Sequence, residues 1–278
     1  MVTELTWEEM RGAELVFISD VHMVDPHDER GLLLRNLIND LGSLQISRLV
    51  LGGDIFEFCF GKKQYFRNKF NDLGTSLQNL KDAGSQIFLI QGNHEAFLET
   101  LNWSFAEMIK EKDLVLKLGR EALKVVIAHG DLINPPSNYL TYTKIVRSQL
   151  FGMGLGLIPS RLLDQLALGF AEKSRAQDEY RELNHAKLLA DGFRWVKGHG
   201  AAVGIFGHFH YPYESQDEGI KIICDWSWEA PNFIAYSSGK WLRGVWMDQR
   251  WKLLPIEFAS GLGPSGDGSN ISGVIAGC

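Results

Sequence analysis

No apolar run in this sequence approaches the roughly 18 residues that a membrane-spanning helix needs. The opening segment, Met1 to Glu14, is acidic and has no apolar stretch of its own, so no signal peptide is expected. Cysteine is scarce: Cys59, Cys224 and Cys278 are the only three, and none stand in C-x-x-C spacing. That odd, sparse set argues against a disulfide framework and suits free or buried thiols in a reducing cytoplasm. Basic residues are outnumbered, 28 Lys and Arg against 34 Asp and Glu, for a net charge of -6. Duplex nucleic acid finds no electrostatic footprint here, and no nucleic-acid partner is expected. There is no internal repeat. What is present is an ordinary globular composition and 278 residues, enough for a sizeable core.

One pattern organises that chain. The apolar run Leu15 to Ile18 stops abruptly at Ser19-Asp20-Val21-His22, a carboxylate and an imidazole two positions apart. Three more runs end alike: Leu49-Val50-Leu51 before Gly52-Gly53-Asp54, Ile87 to Ile90 before Gly92-Asn93-His94-Glu95, and Val125 to Ala128 before His129-Gly130-Asp131. A fifth, Val203 to Phe206, precedes Gly207-His208-Phe209-His210. Short, wholly apolar runs bounded by glycine read as strands buried on both faces. Five of them deliver ligand-type side chains to one edge of a sheet.

Between these runs, Leu32 to Leu44 has helical spacing, so the opening is a β-α-β unit with parallel strands. Tyr65 to Asp82 and Phe97 to Lys112 are also expected as helices, with Ile55 to Phe60 an aromatic loop. Val115 to Leu118 and Leu123 to Ala128 read as β runs. The pattern changes at Asn134-Pro135-Pro136. From Tyr139 to Phe193 only helical patterns occur: Tyr139–Leu150, Pro159–Phe170 and Glu172–Asp191, with the glycines of residues 152–156 a flexible joint. The division expected is an α/β core over residues 1–134 and 200–258, a helical insertion or cap over 135–199, and a flexible Gly/Ser-rich tail over 259–278. Residues 220–258 carry alternating and aromatic runs expected to close a second sheet with antiparallel strands.

The residues at the strand ends are Asp20, His22, Asp54, Asn93, His129, His208 and His210: two carboxylates, one carboxamide and four imidazoles. This is too many for one tetrahedral zinc. It suits two ions sharing a bridging carboxylate, about 3.5–4 Å apart. With no thiolate in the set, Mn, Fe, Zn and Co all fit.

The five blocks in this order resemble the calcineurin-like metallophosphoesterase superfamily, over residues 15–258. The resemblance implies a four-layer α/β/β/α sandwich of two facing mixed sheets. It also implies two divalent metal ions, manganese first among the candidates. Carried over block by block, Asp20, His22 and His210 hold one metal, Asn93, His129 and His208 the other, and Asp54 bridges. His94 matches the catalytic histidine, and Glu95 and Asp131 are candidates to orient imidazoles from behind. His27, His185 and His199 are not recruited, and Asp25, Asp28 and Glu29 read as a charged surface loop.

A helical insert between the H-G-D and G-H-x-H blocks further resembles the UDP-2,3-diacylglucosamine pyrophosphatases of lipid A synthesis. Asp54-Ile-Phe-Glu-Phe and Cys224-Asp225-Trp226 fit that family too. There the insert holds two acyl chains, which implies substrate contacts at Asn93, His94, Tyr142, Arg147, Lys173, Ser174 and Arg175. The chain departs from common family residues at three points: His94 where many have Arg, Tyr211 where Arg often follows the Gly-His-x-His block, and Ala171 where a basic residue is usual. The implied partner is a nucleotide-linked lipid, reached by peripheral contact at the cytoplasmic face of the inner membrane through Phe151, Met153, Leu155, Leu157 and Ile158. The alternatives are a soluble metallophosphatase or phosphodiesterase acting on a nucleotide or other small phosphoester, and a non-catalytic metal- or phosphate-binding module.

Overall fold

A computed structural model of the chain describes residues 5–109, 113–133, 135, 137–146, 148–163, 165, 169, 185–211 and 213–260. In chain order the elements begin β1 (Leu15–Ile18), α1 (Glu29–Ser43), β2 (Arg48–Leu51), β3 (Cys59–Phe60), α2 (Gln64–Lys69), α3 (Asn71–Asp82), β4 (Gln86–Ile90) and β5 (Glu95–Ala96). They continue β6 (Ala106–Ile109), β7 (Asp113–Leu118), β8 (Leu123–Ala128), α4 (Ser137–Val146), α5 (Gln149–Leu157), α6 (His185–Gly198), β9 (Val203–Phe206) and β10 (Tyr213–Asp217). The last are β11 (Ile220–Cys224), β12 (Asn232–Ser237), β13 (Lys240–Met247), β14 (Arg250–Pro255) and β15 (Ala259–Ser260).

Two mixed sheets form. One runs β14-β13-β12-β1-β2-β4-β6 and the other β15-β10-β11-β9-β8-β7. The strand ladder explains the uninterrupted apolar runs, because alternate side chains serve two different cores. Val16, Ile18, Leu49 and Leu51 face Leu34, Leu37 and Ile38 of α1 and Leu73 and Leu77 of α3. Leu15, Phe17 and Val50 turn the other way, against Val125, Ile127, Val203 and Ile205 of the second sheet. The second sheet's outer residues, Val126, Phe206 and Ile222, meet Leu189, Phe193 and Val196 of α6. Three cores between four layers give the α/β/β/α sandwich, and β1 pairs parallel with β2 as the β-α-β reading expects.

Several local expectations are corrected. Residues 97–109 are not a helix, and residues 110–112 of that expectation lie outside the described residues. Phe97 is left-handed (φ 59°), Leu98–Thr100 make one 3-10 turn, and β6 adds in parallel to the edge of β4. The helical spacing of Phe97, Leu98 and Leu101 arises because all three are buried in the same core. The helix expected over 65–82 is broken at Phe70, whose ring lies 4.2 Å from Phe56. β12, β13 and β14 do not close the second sheet; they extend the first, beside β1. Asp28 is more than a surface charge, since its carboxylate caps α1 by accepting from the Gly31 amide at 2.7 Å.

The glycines of 152–156 lie inside α5. Gly152 is there for close packing: a Cβ would sit 2.9 Å from both the Phe97 ring and Lys62 Nζ. Leu155 and Ile158 pack against the core instead of facing solvent, Leu163 is buried in it, and Lys63 Nζ donates to the Ile158 carbonyl at 2.7 Å. Helix α6, described from His185 onward, runs to Gly198, past the expected end at 191, because its apolar face is the outer layer of the second sheet. Of the expected tail, Ala259–Ser260 pair with β10, and residues 261–278 lie outside the described residues.

Candidate metal centre

Each block follows the carboxyl end of a strand, and the sheets bring those ends together. Asp20, His22 and His210 place ligand atoms within 4.8 Å of one another, and so do Asp54, His129 and His208. Asp54 Oδ2 joins the two groups: it lies 3.4 Å from His129 Nε2 and 4.0 Å from the Nε2 atoms of His22 and His94. Asn93 enters through Oδ1, 3.1 Å from His129 Nε2. All seven side chains predicted from the sequence therefore converge on one pocket.

The backbone is bent to do this. Asp20 (φ 52°), His22 (51°), Asp54 (51°), His208 (62°) and His210 (50°) all occupy the left-handed region. L-residues adopt it at a cost of about 1–3 kcal/mol each, and such residues cluster at functional sites. The glycines of the motifs make the room. A Cβ on Gly92 would lie 2.1 Å from Asp54 Oδ1, and one on Gly207 2.3 Å from Asp20 Oδ2.

Hydrogen bonds fix the orientation of the donors. His208 N donates to both oxygens of Asp20 (3.1 and 3.0 Å), and His210 Nε2 lies 3.1 Å from Asp20 Oδ1. His129 Nδ1 donates to the Gly52 carbonyl (3.0 Å), which turns Nε2 toward Asn93 and Asp54. His94 Nδ1 donates to the Glu57 carbonyl (2.8 Å), and the His94 amide donates to Asp54 Oδ1 (2.9 Å). Glu95 meets backbone and not an imidazole: it accepts from the amides of Ile55 (2.8 Å), Phe56 (3.3 Å) and Gly92 (2.9 Å). It thus clamps the Asp54 loop to the Asn93 loop. Asp131 accepts from Tyr139 Oη (2.9 Å), tying α4 to this edge.

The electrostatics call for positive charge. Burial works against ionising Asp20, yet the His210 hydrogen bond and the His129 charge hold it down at about 2. Asp54 is likewise buried, and its histidine neighbours keep it well below the usual carboxylate range. Burial would lower His129, but Asp54 outweighs it and lifts the imidazole to about 10. Burial drives His22 down to about 3 and His208 to about 4, which leaves neutral imidazoles with lone pairs to offer. Both ring nitrogens of His22 are buried without a hydrogen-bond partner. Two fixed carboxylates, neutral imidazoles and orphaned nitrogens fit divalent cations with N/O ligand preference.

Behind Asp20 lies a second buried polar cluster. Arg243 on β13 donates to Glu214 Oε1 (2.8 Å), Asn232 Oδ1 (3.2 Å), the Cys224 carbonyl (3.0 Å) and Asp225 Oδ1 (3.5 Å). Asp225 also accepts from Ser19 Oγ at 3.2 Å, and the Trp228 amide donates to the Asp20 carbonyl at 3.1 Å. Burial, opposed by the Arg243 charge, lifts Asp225 to about 8. No sequence motif announced Arg243 or Glu214. Glu57 stood inside a quoted motif without a role.

Other sequence candidates fall elsewhere. His27 is on the surface, 3.0 Å from Asp72, and His199 pairs with Asp113; neither joins the centre. Arg147, Lys173, Ser174 and Arg175 lie outside the described residues, as do the side chains of Tyr142 and Phe151. Cys59 and Cys224 are free and buried.

The family model for calcineurin-like phosphoesterase matches residues 13–212. A UDP-2,3-diacylglucosamine hydrolase of Neisseria meningitidis is 25% identical over 218 residues, 76% of this chain and 88% of that protein. Its namesake from Pseudomonas fluorescens is 26% identical over 204 residues, 71% of this chain and 79% of that protein. The solved structure of an archaeal phosphodiesterase covers 83% of this chain and 98% of its own, with a TM-score of 0.44 at 13% identity.

Proposed function

We propose, from the premise that this chain belongs to the calcineurin-like phosphoesterase family, that it is a dinuclear hydrolase cleaving UDP-2,3-diacylglucosamine to UMP and 2,3-diacylglucosamine 1-phosphate. The observation that carries the dinuclear reading is the placing of Asp54 Oδ2 between two ligand groups. In this reading Asp20, His22 and His210 would hold one cation and Asn93, His129 and His208 the other, with Asp54 as the carboxylate available to both. Bound divalent ions would supply Lewis-acid activation of water at neutral pH and neutralise the phosphoryl oxygens.

The remaining work falls to the protein. The Glu57 carbonyl fixes His94 Nδ1–H, so Nε2 is the nitrogen presented to the pocket, where the doubly protonated ring gives its Nε2 proton to the leaving oxygen. Glu95 keeps the Asp54 and Asn93 loops in register, which sets the approach of the phosphate.

The lipid substrate is supported by relatives of that name at about a quarter identity over most of the chain. It is supported also by helices α4 and α5 lying between the H-G-D and G-H-x-H blocks. We assign Tyr142, Arg147, Lys173, Ser174 and Arg175 to substrate contact, and residues 135–199 to a cap that keeps α6 as a layer of the core. Among the described residues, Ile145, Met153, Leu157 and Leu162 are the exposed large apolar side chains of this region, and they are assigned to peripheral contact with the bilayer. No helix among the described residues is long and apolar enough to cross a membrane.

The test is incubation with UDP-2,3-diacylglucosamine and Mn2+, scoring UMP, beside a panel of nucleotides and phosphomonoesters. UMP release from the lipid is expected. Inactivity on the lipid with brisk turnover of a soluble ester would replace the substrate assignment and keep the hydrolase. No turnover of any ester by metal-loaded protein would favour a binding module.

A further inference from the structure

We infer that Glu57 is a positioning residue serving two imidazoles at once, His22 through its carboxylate and His94 through its carbonyl. The inference rests on the metal-dependent reading above and goes beyond its ligand set. Glu57 is buried, at 2% exposure, on the loop that follows Asp54. That loop is stitched to both neighbours. Glu57 N donates to the Met23 carbonyl (2.9 Å), one residue past His22, and Cys59 N donates to the His94 carbonyl (3.2 Å). The His22 and His94 rings stand edge to face, 4.7 Å between centroids. Glu57, His22 and His94 have donor atoms within 4.8 Å of one another.

The geometry divides the two nitrogens of His22. Nε2 looks toward Asp54 Oδ2, at 4.0 Å, and Nδ1 toward Glu57 Oε2, at 3.9 Å. An imidazole that offers one nitrogen to a metal needs a partner on the other to fix its tautomer and strengthen it as a donor. A carboxylate is the strongest such partner, and Glu57 is the carboxylate facing Nδ1. At 3.9 Å the pair is within reach but not yet a hydrogen bond. About one ångström of ring movement closes it and leaves Nε2 as the ligand atom. The His94 bond uses the Glu57 main chain, so it survives loss of the side chain. The two services are separable by mutation.

The experiment compares the parent protein with Glu57→Gln and Glu57→Ala, each stripped of metal and titrated with Mn2+ by calorimetry and electron paramagnetic resonance. Thermal unfolding of the metal-free proteins checks the fold. The parent is expected to show two binding events. Glu57→Ala should weaken one of them by about 10–100-fold and spare the other. Glu57→Gln, which keeps an acceptor oxygen but loses the charge, should fall between, and raising Mn2+ should recover the turnover lost by either variant. Equal affinity in all three proteins would overturn the inference, as would equal weakening of both events. Permanent loss of one equivalent would overturn it in another way, making Glu57 a ligand itself. The parent's own result separates the premises: two Mn2+ bound without ester hydrolysis would sink the hydrolase reading and leave the role of Glu57 standing.

Discussion

Two buried polar clusters sit back to back in this fold, and they are built differently. Around Arg243, every strong donor and acceptor is answered by protein: Glu214, Asn232, Asp225 and the Cys224 carbonyl share one guanidinium, and Trp226 lies 4.4 Å beneath it. Around Asp54, five imidazoles crowd three carboxylates, five residues are held left-handed, and both nitrogens of His22 lack a hydrogen bond. Buried polar groups that are satisfied rigidify a fold, whereas groups left short of partners mark a place built for something else. The first cluster joins the two sheets, β10 and β11 to β12 and β13, and the second occupies the crevice those sheets define.

The contrast can be broken by mutation. The largest expected effect is Asp54→Asn, which removes the charge shared by both ligand groups. Hydrolysis should fall by far more than the ~10–100-fold typical of an outer partner, and at least one Mn2+ equivalent should be lost. Retained stoichiometry and turnover would remove Asp54 from the centre. Next, His94→Ala should lower kcat by about 10²–10⁴-fold, the range of a general acid, while metal content holds; loss of metal would move His94 into the ligand set. On the other side, Arg243→Met should cost about 3–5 kcal/mol in denaturant unfolding, because Glu214 loses its cation and Asn232, Asp225 and the Cys224 carbonyl lose their common donor. A loss under about 1 kcal/mol would deny the cluster its structural role. The smallest effect is Leu157→Asp, at a side chain 89% exposed. Stability should change by no more than about 0.5 kcal/mol, while binding to anionic vesicles weakens; unchanged vesicle binding would dissociate this surface from membranes.

The metal-type cluster was legible in the sequence and the arginine cluster was not, for a physical reason. Each ligand block is local, a strand end with a glycine beside a donor, so Asp20-Val21-His22 and Gly207-His208-Phe209-His210 carry their geometry in adjacent positions. Arg243 meets Glu214, Asp225 and Asn232 only because β13 joins the first sheet and β10 the second, and nothing near Arg243 encodes that. The same cause explains β6: residues 97–109 have helical spacing, but the open edge of β4 offers a ladder that local pattern does not contain. Glu57 was visible as part of Asp54-Ile55-Phe56-Glu57-Phe58, yet its use depends on His94, which arrives from another strand end.

The most direct measurement is anomalous diffraction from crystals grown with Mn2+. The account predicts two peaks per chain, about 3.5–4 Å apart, one beside Asp20, His22 and His210 and the other beside Asn93, His129 and His208, with Asp54 between them. A single peak, or two peaks that do not share Asp54, would contradict it.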